Sequence, residues 1–174
     1  FNKEKILFIK RKNTRKALAE AASNFYKKKP KNIIAITGTN GKTSTATLLF
    51  RLFRALKYNV GLISTIQYQI NERVFDATHT TPNALRLNQL LADMIEEGCE
   101  YCFMEVSSHS VTQKRIEGIE FTGGVFTNMS HDHIDYHGSF KAYIEAKKGF
   151  FDQLPKTAFA LSLIHISEPT RQFR

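Results

Sequence analysis

An apolar run, Asn32–Thr37, leads directly into the glycine-containing turn Gly38–Lys42, and a helical pattern follows from Thr43 to about Lys57. A continuous apolar run of this length is typical of a parallel strand that is buried on both faces. Glycine lets the chain turn sharply after the strand, and the following helix begins at the end of that turn. The strand–turn–helix unit therefore predicts a parallel sheet, because a strand followed by a helix needs a second parallel strand to complete the crossover.

Strands and helices alternate along the rest of the chain. We predict strands at 60–66, 101–106, 123–127 and 158–161, a hairpin over 67–76, and helices at about 14–26, 82–97 and 139–153. The predicted caps are Asn13 or Thr14 and Ser139, and Pro82 is the predicted start of the third helix. The predicted buried faces are Ala17, Leu18, Ala21, Ala22 and Phe25 in the first helix and Leu48, Leu49, Leu52, Phe53 and Leu56 in the second. The predicted fold class is α/β, with a mostly parallel sheet and flanking helices.

The formal net charge of +9 invites a nucleic-acid interpretation, but its distribution argues against one. Residues 1–31 carry 11 basic and 2 acidic side chains, whereas residues 32–174 carry 14 of each. No apolar run reaches the ~18–20 residues that a membrane-spanning helix needs, and Cys99 and Cys102 are too few for a disulfide scaffold. We therefore expect a cytoplasmic protein with buried thiols that binds neither nucleic acid nor membrane.

The turn Gly38-Thr39-Asn40-Gly41-Lys42-Thr43 has the composition of a phosphate-binding loop. Backbone amides in such a loop can surround phosphate oxygens, and the amino terminus of the following helix adds a favourable partial positive charge. Lys42 can reach the outer phosphates, and the Thr43 hydroxyl can bind Mg²⁺. The standard spacing places a glycine where this chain has Ile36, so the loop is a shortened variant. An ordinary glycine turn that caps a helix is the alternative interpretation.

Two further polar segments follow predicted strands and are expected at the same carboxyl edge of the sheet. Glu105 ends one of these strands, where its carboxylate can hold a hard cation such as Mg²⁺. The segment 128–138 contains His131, His133 and His137, whose spacing fits no closed zinc site. An oxygen-rich Mg²⁺ site with one imidazole is more consistent with nearby phosphates. A solvated acid and surface histidines are the alternatives.

Five short motifs in combination resemble those of the Mur ligase family. They are Gly38-Thr-Asn-Gly-Lys-Thr43, Thr80-Thr81-Pro82, Glu105-Val-Ser-Ser-His109, Asp132-His-Ile-Asp-Tyr-His-Gly138 and Glu145-Ala-Lys147. The likeness covers roughly residues 5–161 and is greatest to the branch that adds the third amino acid to the peptidoglycan stem peptide. The fold implied by the resemblance is the P-loop central domain of these ligases.

The resemblance also implies roles for individual residues. Positions that match family sites are Gly38, Thr39, Asn40, Gly41, Lys42, Thr43 and Ser44 for ATP; Thr80, Thr81, Ser107, Gln113 and Arg115 for the muramoyl dipeptide; and Thr43, Glu105, His133 and Lys147 for Mg²⁺. Lys147 matches the lysine that the family carbamylates, a change that turns a cation into an anion able to bind Mg²⁺. Lys42, His133 and Lys147 are the implied catalytic residues. Without the resemblance, Lys147 is interpreted as a solvated lysine.

The implied reaction is an ATP-dependent ligation in two steps. ATP phosphorylates the side-chain carboxylate of D-glutamate in UDP-N-acetylmuramoyl-L-alanyl-D-glutamate, and the amine of diaminopimelate or lysine then attacks the acyl phosphate. The family implies a monomeric complete enzyme. Other Mur-type ligases, such as cyanophycin synthetases and folylpolyglutamate synthases, are alternatives within the class. A P-loop module that binds nucleotide without covalent chemistry, and a nucleic-acid-binding arm at Lys27–Lys29, are alternatives outside it.

The length of 174 residues is short for such ligases, which have three domains. We expect residues 1–31 to be the end of the N-terminal UDP-substrate domain with its linker, and residues 32–162 to be part of the central ATPase domain. Residues 163–174 depart from the family and resemble translated read-through, so we expect no role for them or for His165. We expect the chain alone to lack ligase activity and to fold poorly, since a truncated sheet leaves an uncovered edge.

Overall fold

The computed structural model describes residues 9–132 and 134–163. The predicted site residue His133, most of the early apolar run at 6–9, His165 and all but the first residue of the predicted tail 163–174 lie outside these ranges. Strands lie at Asn32–Thr37 (β1), Val60–Ile63 (β2), Gln67–Ile70 (β3), Arg73–Asp76 (β4), Tyr101–Glu105 (β5), Gly123–Phe126 (β6) and Phe159–Ser162 (β7). Helices lie at Thr14–Phe25 (α1), Lys42–Ala55 (α2), Ala84–Glu96 (α3), Ser108–Thr112 (α4), Ile134–His137 (α5) and Phe140–Phe151 (α6).

The strands form one sheet in the order β4-β3-β2-β5-β1-β6-β7. The neighbouring pairs β2–β5, β5–β1, β1–β6 and β6–β7 are parallel. Strands β3 and β4 form an antiparallel hairpin that pairs with β2 at one edge of the sheet. The mostly parallel α/β fold and the hairpin are therefore confirmed. In the register of the central strands, Ile36 lies opposite both Glu105 and Val125. This register brings the carboxyl ends of β1, β5 and β6 together, and the segments that follow them form the candidate site.

Side-chain caps begin four of the described helices, which are α1, α3, α4 and α6. Asn13 and Ser139 accept hydrogen bonds from backbone amides in the first turns of α1 and α6, as the sequence predicts. The third helix begins two residues later than predicted. Asn83 caps it by accepting a hydrogen bond from the amide of Arg86 over 2.9 Å, so Pro82 precedes the cap instead of occupying the first helical position.

The predicted buried faces of α1 and α2 are partly wrong. The α2 residues Leu48, Leu52 and Leu56 are 52–64% exposed, while Ala46 and Phe50 are buried against the sheet. In α1, Leu18 and Phe25 are exposed, and the buried residues are Ala19 and Ala22. Each helix turns an alanine toward its contact, Ala19 in α1 and Ala46 in α2, because alanine allows closer approach to a packed neighbour than leucine does. In α2 the large side chain of Phe50 lies beside that alanine. Helical spacing correctly predicts an apolar stripe on each helix, but the stripe is not centred on the side of the helix that packs against the rest of the protein.

The core has a layer on each side of the sheet. On one side, Leu87, Leu90, Leu91 and Met94 of α3 pack on the strands, with α1 outside α3; on the other side, Ala46 and Phe50 of α2 do so. Cys99 and Cys102 are buried free thiols, which confirms their predicted place in or near the core. Burial raises the pKa of Cys99 to about 11. Among the residues that the structure describes, no helix has the length and hydropathy required to cross a membrane.

Candidate active site

The glycine turn lies between β1 and α2, as predicted, and its lysine folds back over it. Lys42 Nζ donates hydrogen bonds to the carbonyl oxygens of Gly38 and Thr39 over 3.0 and 2.7 Å. Burial lowers the pKa of Lys42, whereas the charges of Glu105 and Asp132 act in the opposite direction. The ammonium group is therefore held over the turn by neutral carbonyl oxygens, which an anionic phosphate can replace.

The segment after β6 holds the turn from outside. The carbonyl oxygen of Asn128 accepts a hydrogen bond from the amide of Thr39 over 2.9 Å, and its side-chain oxygen accepts one from the amide of Asn40 over 3.0 Å. The Thr127 hydroxyl donates to the carbonyl of Asn40 over 2.6 Å. Because two amides of the turn are occupied in this way, the amides that remain for a phosphate are those at the start of α2.

Gly38 makes this close approach possible. Its φ of +144° lies in a region that favours glycine, and a Cβ atom at this position would lie 2.0 Å from Thr127 Oγ1. Gly41 also has a positive φ, of +80°, but a Cβ atom there would have no neighbour closer than 3.9 Å. Glycine is therefore required at position 38 by the close contact with Thr127, and it is favoured at position 41 by the backbone conformation alone.

Lys147 of α6 is buried beside the turn. Lys147 is only 3% exposed, and its Nζ donates a hydrogen bond to the carbonyl oxygen of Gly38 over 2.8 Å. The ammonium also lies 4.8 Å from the centre of the Tyr143 ring. Burial, together with repulsion from Lys42, lowers the pKa of Lys147 to about 7. The interpretation of Lys147 as a solvated lysine is therefore wrong.

Glu105 ends β5 with its carboxylate fully buried. Both carboxylate oxygens accept hydrogen bonds from Thr65, one from its amide over 2.8 Å and one from its hydroxyl over 3.1 Å. Because the single proton of this hydroxyl goes to the carboxylate, its oxygen accepts the hydrogen bond that it shares with Thr80 Oγ1 over 3.1 Å. Within the described ranges, no lysine or arginine forms an ion pair with this carboxylate. A solvated strand-end acid is thus excluded, and the buried carboxyl group is suited to a cation.

The residues predicted to bind the muramoyl dipeptide also come together. Thr81 Oγ1 donates to the carbonyl of Glu105 over 2.7 Å and accepts from the amide of Ser107 over 3.2 Å. Arg115 donates to the carbonyl of Thr81 over 2.7 Å. It also donates from Nε and Nη2 to the side-chain oxygen of Gln113, over 3.0 and 2.7 Å. The guanidinium group is thus oriented by neutral oxygens and keeps its charge available for an anion.

One cavity of about 420 Å³ joins these groups. Its lining includes seven of the predicted site residues, which are Gly38, Lys42, Thr80, Thr81, Ser107, Arg115 and Lys147. Gln113 lies behind Arg115, and Glu105 lies behind Thr65. The structure therefore brings Lys42 of the phosphate loop, Lys147 of α6 and the candidate substrate-binding residues to one pocket.

The histidine-rich segment lies beside this cavity. His137 Nε2 shares a hydrogen bond of 2.9 Å with Ser108 Oγ, and His131 stacks on Phe140 with ring centres 4.1 Å apart. The Tyr136 ring lies 3.9 Å from that of His109, centre to centre. In the described ranges, which omit His133, no three His, Cys, Asp or Glu side chains are grouped closely enough to hold a metal ion.

Several residues of the site were not identified from the sequence. Thr65 holds the Glu105 carboxylate, Asn128 holds the glycine turn, and Tyr143 shares a hydrogen bond of 3.0 Å with Thr39 Oγ1. His79 lines the cavity. Thr65 and Asn128 both follow parallel strands, so the expectation that polar residues gather at the carboxyl edge could have found them. Nothing in the local sequence of Tyr143 predicts its contact.

Comparison with known proteins is consistent with this geometry. The sequence pattern of the Mur ligase middle domain matches residues 36–172. A Cytophaga hutchinsonii protein named UDP-N-acetylmuramoyl-L-alanyl-D-glutamate–2,6-diaminopimelate ligase is 55% identical over 155 residues, which are 88% of this chain and 32% of that protein. The Bacteroides thetaiotaomicron protein of the same name is 48% identical over 159 residues, which are 90% and 33% of the two chains. This chain thus spans about a third of the length of these curated relatives.

Solved structures show the same architecture. A structure of UDP-N-acetylmuramoyl-L-alanyl-D-glutamate–2,6-diaminopimelate ligase superposes with a TM-score of 0.73 at 28% identity, covering 86% of this chain and 36% of that one. MurF ligase from Thermotoga maritima, solved in complex with ADP, has a TM-score of 0.64 at 19% identity over 93% of this chain and 34% of its own, a likeness of fold. Because the middle-domain pattern extends over most of its length, this chain belongs to the Mur ligase family.

Proposed function

We propose that this chain is the ATP-binding part of a cytoplasmic, monomeric ligase that joins diaminopimelate to UDP-N-acetylmuramoyl-L-alanyl-D-glutamate. The names of the relatives favour diaminopimelate over lysine as the added amino acid. In this proposal residues 32–162 form part of the ATPase domain, residues 1–31 end the preceding domain, and residues 163–174 are a non-native tail. Helix α1, at Thr14–Phe25, contacts α3 of the proposed ATPase part.

The observation that carries the proposal is the single cavity shared by Lys42, Lys147 and Arg115. Transfer of a phosphoryl group to a carboxylate requires the phosphate and the acceptor to be held side by side, with cations close to both. Lys42 and the first amides of α2 are suited to the phosphates, and Arg115 is suited to a carboxylate of the glutamate. Thr80, Thr81 and Ser107 line the same cavity.

The residues present fit a magnesium ion. Glu105 supplies a buried carboxylate with no ion-pair partner among the described residues, and Thr43, His133 and Lys147 complete the proposed set. Bound Mg²⁺ would neutralise negative charge on the phosphates. Carbamylation of Lys147 would suit it to this role. The lowered pKa supports this modification, since a neutral amine can add to the carbon of CO₂ and release a proton, forming a carbamate.

Binding and ligation together test the proposal. The 174-residue chain should bind Mg-ATP in titration calorimetry, and Lys42→Ala should abolish that binding. Arg51→Ala, an exposed position on the same helix, is the matched control and should bind normally. In the complete ligase, Lys42→Ala should abolish ADP release that depends on the muramoyl dipeptide and diaminopimelate. Ligation that survives this change would contradict the phosphate-loop assignment.

A further inference from the structure

A second cavity, of about 200 Å³, adjoins the first one and shares His79 and Arg115 with it. The shared residues make the two cavities neighbours on one surface, so that a ligand in the first can extend into the second. We name the second one the α1 cavity. Its lining consists of Arg15, Leu18, His79, Asn83, Ala84, Gln113, Lys114 and Arg115. The lining therefore has three permanent cations and no acidic residue.

Arg115 stands at the junction of the two cavities. Its hydrogen bonds from Nε, Nη1 and Nη2 go to neutral oxygens of Gln113 and Thr81, and no carboxylate within the described ranges forms an ion pair with it. A guanidinium group held in this way keeps its orientation and its full charge. The Arg115 guanidinium group can therefore attract an anion in either cavity, because it lines both.

Arg15 and Lys114 line the α1 cavity but not the first one. Lys114 has a left-handed φ of +58°, and its Nζ lies 2.9 Å from Glu117 Oε1. Lys16 also lies 3.8 Å from carboxylate oxygens of both Glu117 and Glu20, so these two acids balance the two lysines. The net positive charge of the lining therefore comes from Arg15 and Arg115. In the described part of the chain, no acid forms an ion pair with Arg15.

We propose that the α1 cavity is a second anion subsite, in which Arg15 and Lys114 bind a phosphate or carboxylate group of the muramoyl nucleotide. This inference rests on the proposed function, because it assigns the two cavities to different parts of one substrate. Leu18 and Ala84 provide an apolar wall for the group that connects the two anions. The exposure of Leu18, which the amphipathic pattern of α1 does not explain, has a role in this arrangement.

The experiment compares two charge-removing double variants of the 174-residue chain. Arg15→Gln with Lys114→Asn removes the proposed subsite cations, and asparagine is chosen because it tolerates a left-handed φ. Arg51→Gln with Lys156→Gln removes the same charge at exposed positions outside both cavities. Calorimetry with UDP-N-acetylmuramoyl-L-alanyl-D-glutamate should show a Kd about ten-fold higher for the subsite variant and unchanged for the control. Arg15→Gln alone, at an exposed position, should reproduce part of the increase.

Two further titrations separate the possible outcomes. With N-acetylmuramoyl-L-alanyl-D-glutamate, which lacks the UDP group, loss of the difference between variants identifies the diphosphate as the bound anion, and persistence of the difference identifies a carboxylate. With Mg-ATP, all variants should bind alike. Equal muramoyl-nucleotide affinity for the subsite variant and the unaltered chain, or no affinity for either, would overturn the subsite. Failure of the unaltered chain to bind Mg-ATP would instead overturn the proposed function.

Discussion

Lys42 and Lys147 donate hydrogen bonds to the same oxygen atom, the carbonyl of Gly38, over 3.0 and 2.8 Å. Two ammonium groups that share one acceptor repel each other, and this repulsion adds to the effect of burial on the pKa of Lys147. The paired lysines make the cavity attractive to an anion and at the same time favour the neutral amine at position 147. Both properties come from a contact between residues more than a hundred positions apart.

This relationship predicts a pH-dependent stability change for Lys147→Met. The pKa of Lys147 is about 7 in the folded chain and 10.5 at its ordinary value, so between these pH values the unfolded chain binds the additional proton. The contribution of Lys147 to stability therefore rises with pH above about 7 and is least favourable at lower pH. Lys147→Met should stabilise the chain at pH 6 relative to its effect at pH 9 by about 3 kcal/mol, because each pH unit between 7 and 9 contributes about 1.4 kcal/mol.

Urea denaturation at the two pH values measures this difference. Lys148→Met is the matched control, because Lys148 is exposed and pairs with Asp152. An equal effect of Lys147→Met at pH 6 and pH 9 would show that Lys147 has no lowered pKa in the folded chain.

The two glycines of the phosphate loop should respond differently to alanine. Gly38→Ala places a Cβ atom 2.0 Å from Thr127 Oγ1, so the loop and the segment after β6 must separate. We expect a loss of unfolding free energy of about 3 kcal/mol or more, together with loss of Mg-ATP binding. Gly41→Ala meets no close neighbour, and its left-handed φ should cost only about 1–2 kcal/mol. Thermal unfolding and calorimetry test both variants, and equal losses would contradict the proposed difference in packing.

The Thr65 hydroxyl should stabilise the buried carboxylate of Glu105. Thr65→Val removes one of the two groups that donate to this carboxylate and leaves one oxygen without its partner. The expected loss of unfolding free energy is about 1–3 kcal/mol in urea denaturation. Thr65→Ser keeps the hydroxyl and should behave like the unaltered chain. If serine and valine are equally destabilising, the methyl group and not the hydroxyl is responsible.

Tyr136 should act as a positioning residue for the substrate. Its hydroxyl accepts a hydrogen bond of 3.1 Å from Gln113, which in turn orients Arg115. Tyr136→Phe removes the hydroxyl but keeps the ring against His109. In steady-state kinetics of the complete ligase, the KM for the muramoyl dipeptide should rise about five-fold while the KM for ATP stays constant. Equal changes in both would indicate a general structural effect, and Tyr58→Phe serves as a control distant from the site.

Much of the sheet and the position of the site could be predicted from the sequence because these features are local. A continuous apolar run, a glycine turn and a helix at Asn32–Lys57 imply a parallel strand with its carboxyl end at the turn. Glu105 follows another such run, and Ser139 lies at a recognisable cap. Each of these inferences depends on residues close together in the chain.

Helix rotation and the environment of individual side chains depend instead on partners that are distant in sequence. The apolar stripes of α1 and α2 were found, yet only packing decides that Ala19 and Ala46 face inward while Leu18 and Leu48 do not. By itself the sequence determined the α/β fold class and the edge of the sheet at which chemistry can occur. Only the tertiary structure decided that Lys147 is buried against Gly38, because that burial needs α6, β1 and the phosphate loop to meet.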